Sequence, residues 1–302
     1  MPINTGSFSK ALWPGINAWY GKAYNEYPVE WDKLFDKHTS RRNYEEDVGI
    51  SSFGLAQIKA EGAPIAYDSE RQGYITRYTH LVYGLGFMIT REMVEDDQYD
   101  VVGQRRAQGL AFSMRQTKEI VGANVYNRAF SGSYLGGDGV SLLNASHPNV
   151  AGGTYSNVLS TASDLSEASL EQACIQIAAL TNDRGLLISL VPEKLVIPWN
   201  LEFEATRILK TVGRVGTDLN DVSALRELGK FRGGMVVNHY LTDPDAWFIR
   251  TNAQNGMKYF ERRGDEFKED NDFDTENAKF KATARYSFGW TDPRSLFGSQ
   301  GA

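Results

Sequence analysis

Between residues 279 and 290 apolar and polar side chains alternate without a break: Phe280, Ala282, Ala284, Tyr286, Phe288 and Trp290 against Lys279, Lys281, Thr283, Arg285 and Ser287. A period of two sustained over that length predicts a long strand. Its aromatic face must lie on a core, while its basic and hydroxylic face can stay wet. The natural cover is a long helix, and residues 90–130 carry the pattern for one. Leu110, Met114, Val121 and Val125, with Ala107, Ala111 and Lys118, make a stripe at helical spacing. Thr90 is placed to cap it, and Glu92, Glu95, Asp96 and Asp97 suit its positive N-terminal end. The expected core is therefore the strand's sheet packed on that helix. The strand is predicted to stop before Pro293, which has no N–H for a ladder.

Residues 54–60 and 73–88 read as two strands joined by a polar tip, 61–72. The second carries Tyr74, Tyr78, His80 and Val82 on one face and Ile75, Leu81, Tyr83, Leu85 and Phe87 on the other. At ~3.3 Å per residue it would reach about 50 Å, and an isolated two-stranded ribbon is marginal in water. Apolar residues on both faces predict a ribbon that projects and is held by another subunit; the alternative is membership of an ordinary sheet. The first fifty residues scatter Trp13, Trp19, Tyr20, Tyr24, Tyr27, Trp31 and Phe35 around Pro14 and Pro28. They form either an arm lying along another surface, of this chain or a neighbour, or a helical subdomain on their own body with a short helix at 31–37. Further on, 131–157 is loop-rich, and an amphipathic helix over 170–180 starts at Ser166 and Glu167. A buried strand is expected at 186–198, a helix at 199–209, strands at 235–240, 247–251 and 257–267, and an acidic turn at 269–276.

Composition adds limits. With 302 residues, 41% hydrophobic and 23% charged, the chain is of the folded, soluble type, and a net charge of −6 argues against general nucleic-acid binding. The single cysteine, Cys174, sits in an apolar helical pattern, which excludes an intramolecular disulfide and predicts a buried small residue. No apolar run approaches the ~20 residues of a membrane helix, and the polar start Met1 to Phe8 lacks a signal-peptide core, so a cytosol-like compartment without membrane contact is expected.

Candidate chemistry is sparse. His38, His80, His147 and His239 lack metal-ligand spacing, and Ser131 and Ser133 lack a nucleophile elbow. Gly84-Leu85-Gly86 lacks the third glycine of a dinucleotide loop. Asp270-Asn271-Asp272-Phe273-Asp274 opens like a calcium loop, but Thr275 stands where the turn glycine belongs and Lys281 where the bidentate Glu belongs. It reads as a solvated hairpin tip, and His147-Pro148 reads as a structural loop element. No catalytic, metal-binding or cofactor-binding residue is assigned, and no cofactor is expected.

Several motifs stand in a consistent order: Asp138-Gly139 through Leu142-Leu143 to His147-Pro148, Gly152-Gly153-Thr154 with Ser156-Asn157, Leu195-Val196-Ile197-Pro198, and Leu241-Thr242-Asp243-Pro244-Asp245-Ala246-Trp247-Phe248. The acidic segment follows, then the 279–289 strand, Asp292-Pro293-Arg294 and Phe297-Gly298. This series resembles the major capsid (head) proteins of tailed bacteriophages, most closely the Mu-like major head subunit group. The resemblance implies an α+β, Hong Kong 97-type fold. Its parts would be an N-terminal arm (1–50), an extended E-loop hairpin (51–89), a peripheral domain with a long spine helix (90–185), an axial domain (186–256) and a peripheral-domain hairpin with the C-terminal return (257–302). It implies a structural, non-enzymatic subunit that assembles as hexamers and pentamers into an icosahedral head around double-stranded DNA. The protein would be made in the bacterial host cytoplasm and reside in the virion, with separate scaffolding, portal and decoration proteins and weak, non-specific DNA contact. Inter-subunit contacts are expected from Trp13, Trp19, Tyr20, Trp31, Tyr67, Arg71, Tyr74 and Tyr78 and from Asp270, Asp272 and Asp274. Some relatives crosslink through Lys and Asn, but the expected tip holds no Lys, Lys59 being nearest, so no crosslink is predicted. Two other readings are an encapsulin-like cellular nanocompartment shell and a soluble hydrolase using His147 or the acidic loop.

Overall fold

A computed structural model describes residues 9–62, 64–90, 92–93, 99–213, 222–272 and 277–302. In chain order its elements are α1 (Ser9–Glu26), β1 (Asp36–Thr39), β2 (Tyr44–Ile50), β3 (Gln72–Thr79), β4 (Leu81–Ile89) and α2 (Tyr99–Asn127). Next come β5 (His147–Pro148), β6 (Thr154–Tyr155), α3 (Glu167–Ala178), β7 (Pro192–Pro198) and α4 (Glu202–Lys210). The chain closes with α5 (Ala224–Glu227), β8 (Met235–Asn238), β9 (Trp247–Thr251), β10 (Met257–Asn271), β11 (Ala278–Trp290) and β12 (Leu296–Ser299).

The alternating stretch is β11, and it lies inside a four-stranded sheet of order β1-β10-β11-β4. Phe280, Ala282, Ala284 and Tyr286 are buried, as the period-two pattern requires. Ala107, Leu110, Ala111, Met114, Ala123 and Tyr126 on α2 are buried too, and much of this stripe joins the inner face of β11 in one core. Gly122 lets helix and sheet approach: a Cβ there would stand 3.3 Å from Phe288 and from Trp31. The described span of this helix is Tyr99–Asn127, residues 92–93 are also helical, and Thr90 Oγ1 accepts from the Met93 N–H at 3.4 Å, the bond expected of a cap.

The N-terminal aromatics resolve toward their own body. α1 packs on α2 through Tyr20 and Ala23, and Trp31, Leu34 and Phe35 enter the main core. Glu119, buried on α2, accepts the Glu30 and Trp31 N–H groups at 3.1 and 2.9 Å, which fixes the start of the 3-10 turn Trp31–Lys33.

A second sheet, β12-β9-β7-β8, pairs β7 and β8 in parallel. α3 and α4 contribute to its core, which holds Leu170, Ile177, Leu195, Ile197, Ile208, Trp247, Ile249 and Phe297. Ser166 and Ser169 cap α3 reciprocally. Cys174 lies in this core, where burial pushes its thiol up to about 11. After β11, Asp292 caps a 3-10 turn at Pro293–Ser295, and β12 carries the C-terminal peptide into the second sheet.

The predicted ribbon needs correction. Residues 54–60 form no strand; β3 pairs instead with β2, whose Tyr-Glu-Glu-Asp-Val-Gly-Ile sequence lacks an apolar run. The predicted second strand also breaks at His80, so that β3 belongs to the ribbon while β4 pairs with β11. The ribbon is thus about half the predicted length. The buried strand expected over 186–198 likewise starts only at Pro192.

Candidate assembly surface

The ribbon turns different faces inward and outward. Its face toward the body carries Glu45, Asp47, Thr76 and Tyr78, and its outward face carries Tyr44, Val48, Ile50 and Ile75, all exposed, together with the Glu46–Arg77 ion pair. On the inner side Lys258 donates to Asp47 and to Asn255 Oδ1, the latter at 3.1 Å. Thr291 Oγ1 donates to Asp47 Oδ2 at 2.8 Å and lies 2.6 Å from Tyr78 Oη. Polar groups satisfied on the body side, with Tyr44, Val48, Ile50 and Ile75 left exposed around the Glu46–Arg77 pair, give the ribbon a mixed outer surface of the kind found at interfaces.

His80 stands where the ribbon leaves the sheet. Its Nδ1 lies 2.9 Å from Ser287 Oγ and its Nε2 3.1 Å from Ser40 Oγ, which donates onward to Glu45. Its main chain is also held, the carbonyl accepting from Arg285 Nε at 3.2 Å. Burial, and then the neighbouring Arg285 charge, hold the imidazole below its ordinary pKa.

At the far end of the ribbon is the loop 51–71. The Ser51 N–H donates to the Arg71 carbonyl at 3.0 Å, and the Arg71 N–H to Ser51 Oγ at 2.8 Å, closing the loop. Asp68 accepts from the Gly54 and Ser69 N–H groups, both at 2.8 Å, and these bonds, with Arg184 beside them, hold its carboxyl below the usual range. Arg184 Nη2 donates to Asp68 Oδ1 at 3.3 Å and to the Ser69 carbonyl at 2.6 Å, tying the loop to the body. Its apolar side chains have no such anchor: Leu55 is 79%, Tyr67 96% and Ile58 fully exposed. Full burial of one such side chain is worth about 1.5–3 kcal/mol, so a neighbour covering this loop would gain several kcal/mol. Trp199, Phe203, Val212, Val222 and Leu228 form another exposed apolar group around α4 and α5.

The expected contact residues divide. Tyr67, Arg71 and Tyr74 are exposed on the loop and ribbon. Tyr20, Trp31 and Tyr78 are not available: each is at most 5% exposed, with Tyr20 stacked on Phe267, Trp31 against Tyr259 and Tyr78 against Phe260. Trp19 is half-buried beside the Ile89, Ala107 and Phe280 cluster. The Trp13 side chain and Asp274 lie outside the described residues. Asp270 is exposed near the β10–β11 tip, and Asp272 accepts from Lys279 Nζ at 2.6 Å. Among the described residues no cluster of three His, Cys, Asp or Glu side chains could hold a metal.

His147 is a brace in the interior. Its Nδ1 lies 2.6 Å from Asp138 Oδ2, its Nε2 3.0 Å from Asn157 Oδ1, and its ring stacks on Tyr155. Asn157 Nδ2 faces the carbonyls of Leu142, Pro293 and Leu296, fastening the loop-rich segment to the C-terminal peptide. Arg294 lies over Tyr155 and pairs with Asp183 and Asp292. The shared motifs Asp138, His147-Pro148, Asn157 and Asp292-Pro293-Arg294 therefore meet at one place, which their spacing in the sequence does not reveal.

Comparison with known proteins agrees with this geometry. The capsid of a native GTA particle has a chain 12% identical to this one, with a TM-score of 0.55 over 90% of each chain. The procapsid of bacteriophage JBD30 gives 13% identity and a TM-score of 0.53 over 98% of this chain and 76% of that one. A virus-like particle from Pyrococcus furiosus gives 12% and 0.53 over 93% and 96%. No curated protein matches the sequence. The fold is the Hong Kong 97 type found in tailed-phage capsids. Residues 73–298, about three quarters of the chain, match the family model described as phage capsid protein. This chain belongs to the phage capsid protein family and is a structural capsid subunit.

Proposed function

We propose that this capsid subunit assembles as hexamers and pentamers into an icosahedral head enclosing double-stranded DNA, each copy laying its 51–71 loop on a neighbour. The observation that carries this is the anchored loop with Leu55, Ile58 and Tyr67 exposed, at the end of a ribbon that also exposes Tyr44, Val48, Ile50 and Ile75. Within that reading residues 1–50 are the N-terminal arm, from which Tyr20, Ala23, Trp31, Leu34 and Phe35 pack on the subunit's own body, and residues 51–89 the E-loop, whose hairpin borrows β2. Residues 90–185 with 257–302 are the peripheral domain, α2 its spine, and 186–256 the axial domain. Tyr67, Arg71 and Tyr74, with the acidic tip at Asp270, Asp272 and Asp274, are the contacts. The subunit is non-enzymatic and of the Mu-like group, and is made in the host cytoplasm. It works with separate scaffolding, portal and decoration proteins and touches DNA weakly, in keeping with a net charge of −6.

The test is to purify the chain expressed alone and follow it by negative-stain electron microscopy and light scattering. Closed shells or capsomer rings are expected; a monodisperse monomer that persists with a co-expressed scaffold would overturn the reading. A second reading, a cellular shell loaded with a protein cargo, rests on the fold likeness to the virus-like particle from Pyrococcus furiosus. Particles carrying a protein cargo and no DNA would favour it.

A further inference from the structure

The two edges of the main sheet are finished differently. β1, on one edge, is Asp36-Lys37-His38-Thr39, short, polar and exposed throughout. That is how soluble proteins protect an edge from unwanted strand pairing. β4, on the other edge, is nine residues long and contains neither a charge nor a proline. Leu81, Val82, Leu85 and Met88 are each 51–59% exposed. Among the described residues its backbone bonds lead only to β11, apart from Arg106 Nη1 donating to the Met88 carbonyl at 2.6 Å. Among the described residues an interior-type strand thus lies unpaired at an edge.

The same chain carries a segment suited to cover it. Residues 53–60 are exposed and belong to no strand. Among the described residues their backbone makes no bond to other backbone; Asp68 alone takes the Gly54 N–H. Phe53, Leu55 and Ile58 give the segment an apolar character, its only charge is Lys59, and its eight residues fall one short of the nine of β4. It cannot readily reach its own β4. It is tied at Ser51 and Arg71, and β3 separates that tie from β4 by roughly 25 Å at ~3.3 Å per residue.

We propose that residues 53–60 of a second copy add to β4 as a fifth strand of the main sheet. The inference rests on the capsid reading and supplies a bonding mode for it: main-chain hydrogen bonds along the edge, with apolar side chains on both faces. Donor and acceptor are different surfaces, so every subunit gives one strand and receives one, the head-to-tail relation from which rings close.

The test uses particles assembled from a mixture of ¹⁴N- and ¹⁵N-labelled chains carrying a photo-reactive phenylalanine analogue at position 58. Crosslinked peptides of mixed isotope content joining position 58 to residues 81–89 are expected. Hydrogen exchange should slow about tenfold or more at both 53–60 and 81–89 on passing from free subunit to particle. Leu85→Lys and Ile58→Lys should each abolish that protection while leaving the melting temperature of the free subunit unchanged. Crosslinks within one chain, or to another region of the second copy, would overturn the proposal. So would protection of 81–89 that survives Ile58→Lys but disappears when residues 2–8 are deleted, which would put the chain's own N-terminus on the edge. Particles in which 81–89 still exchanges fast overturn strand addition and leave the capsid reading standing; a chain that forms no particle even with a co-expressed scaffold overturns both.

Discussion

The double substitution Ile58→Ser with Tyr67→Ala separates assembly from folding. Both side chains are essentially fully exposed in the subunit, so each change should move folding stability by no more than about 0.5 kcal/mol. On a neighbour the two would bury apolar area worth up to about 3–6 kcal/mol, part of which is offset by ordering the loop. Taking a net loss of about 3 kcal/mol per subunit, and about 1.4 kcal/mol per tenfold, the protein concentration at which particles form should rise roughly 100-fold. Light scattering across a dilution series reads that threshold, and a urea melt of the dilute subunit reads stability. Tyr78→Ala is the control with the opposite signature. Tyr78 packs on Phe260 and is interior, so about 3–5 kcal/mol of folding stability should be lost. A loop variant that melts early yet assembles at the wild-type threshold would refute the reasoning.

Asn157→Ala should cost about 3 kcal/mol or more in urea unfolding, because it strands the Asn144 N–H and the inward-facing carbonyls of Leu142, Pro293 and Leu296. Limited proteolysis should then release the C-terminal peptide early. His80 gives a pH dependence: its folded pKa lies below the unfolded value, so the unfolded chain takes up more protons as pH falls below about 6.5 and stability declines there. His80→Gln should flatten that part of the stability-versus-pH curve; an unchanged slope would remove His80 as its source. Gly137→Ala would set a Cβ 2.7 Å from the Ile75 carbonyl and 2.8 Å from Thr76 Oγ1. We expect a loss of about 1–3 kcal/mol with faster hydrogen exchange confined to β2 and β3.

The parts of the fold legible in the sequence were those whose burial follows a local period. β11 and α2 each bury one face, so alternation and helical spacing located them and paired them as the main core. Ser166 announced α3 for a similarly local reason, since its cap closes within three residues. The ribbon is not legible in the sequence because pairing is not local. Residues 54–60 have strand composition but pair with no strand among the described residues, whereas Tyr44–Ile50 has three acidic residues and becomes a strand because the inner-face carboxylates Glu45 and Asp47 find Ser40, Lys258 and Thr291. Tyr74 and Tyr78 share a period yet differ in exposure, because Tyr78 sits at the ribbon base against Phe260 and Gly289 and Tyr74 lies further out.

Lys118 fell on an apolar stripe for a reason only the fold displays. Its ammonium sits 4.7–5.3 Å from the ring centroids of Trp31, Tyr259 and Tyr286, with Glu261 at 3.5 Å, and burial lowers its pKa. The Asp138, His147 and Asn157 brace was visible as a set of motifs but not as a contact, because spacing along the chain does not report that loop-rich residues converge on the C-terminal peptide.

Cryo-electron microscopy of particles formed by the purified chain tests the central claim most directly. The account predicts a closed shell in which density for residues 51–71 of every subunit lies on an adjacent subunit, with Ile58 and Tyr67 out of solvent. A shell in which that loop stays in solvent on its own subunit, or a chain that remains monomeric with its scaffold present, would contradict it.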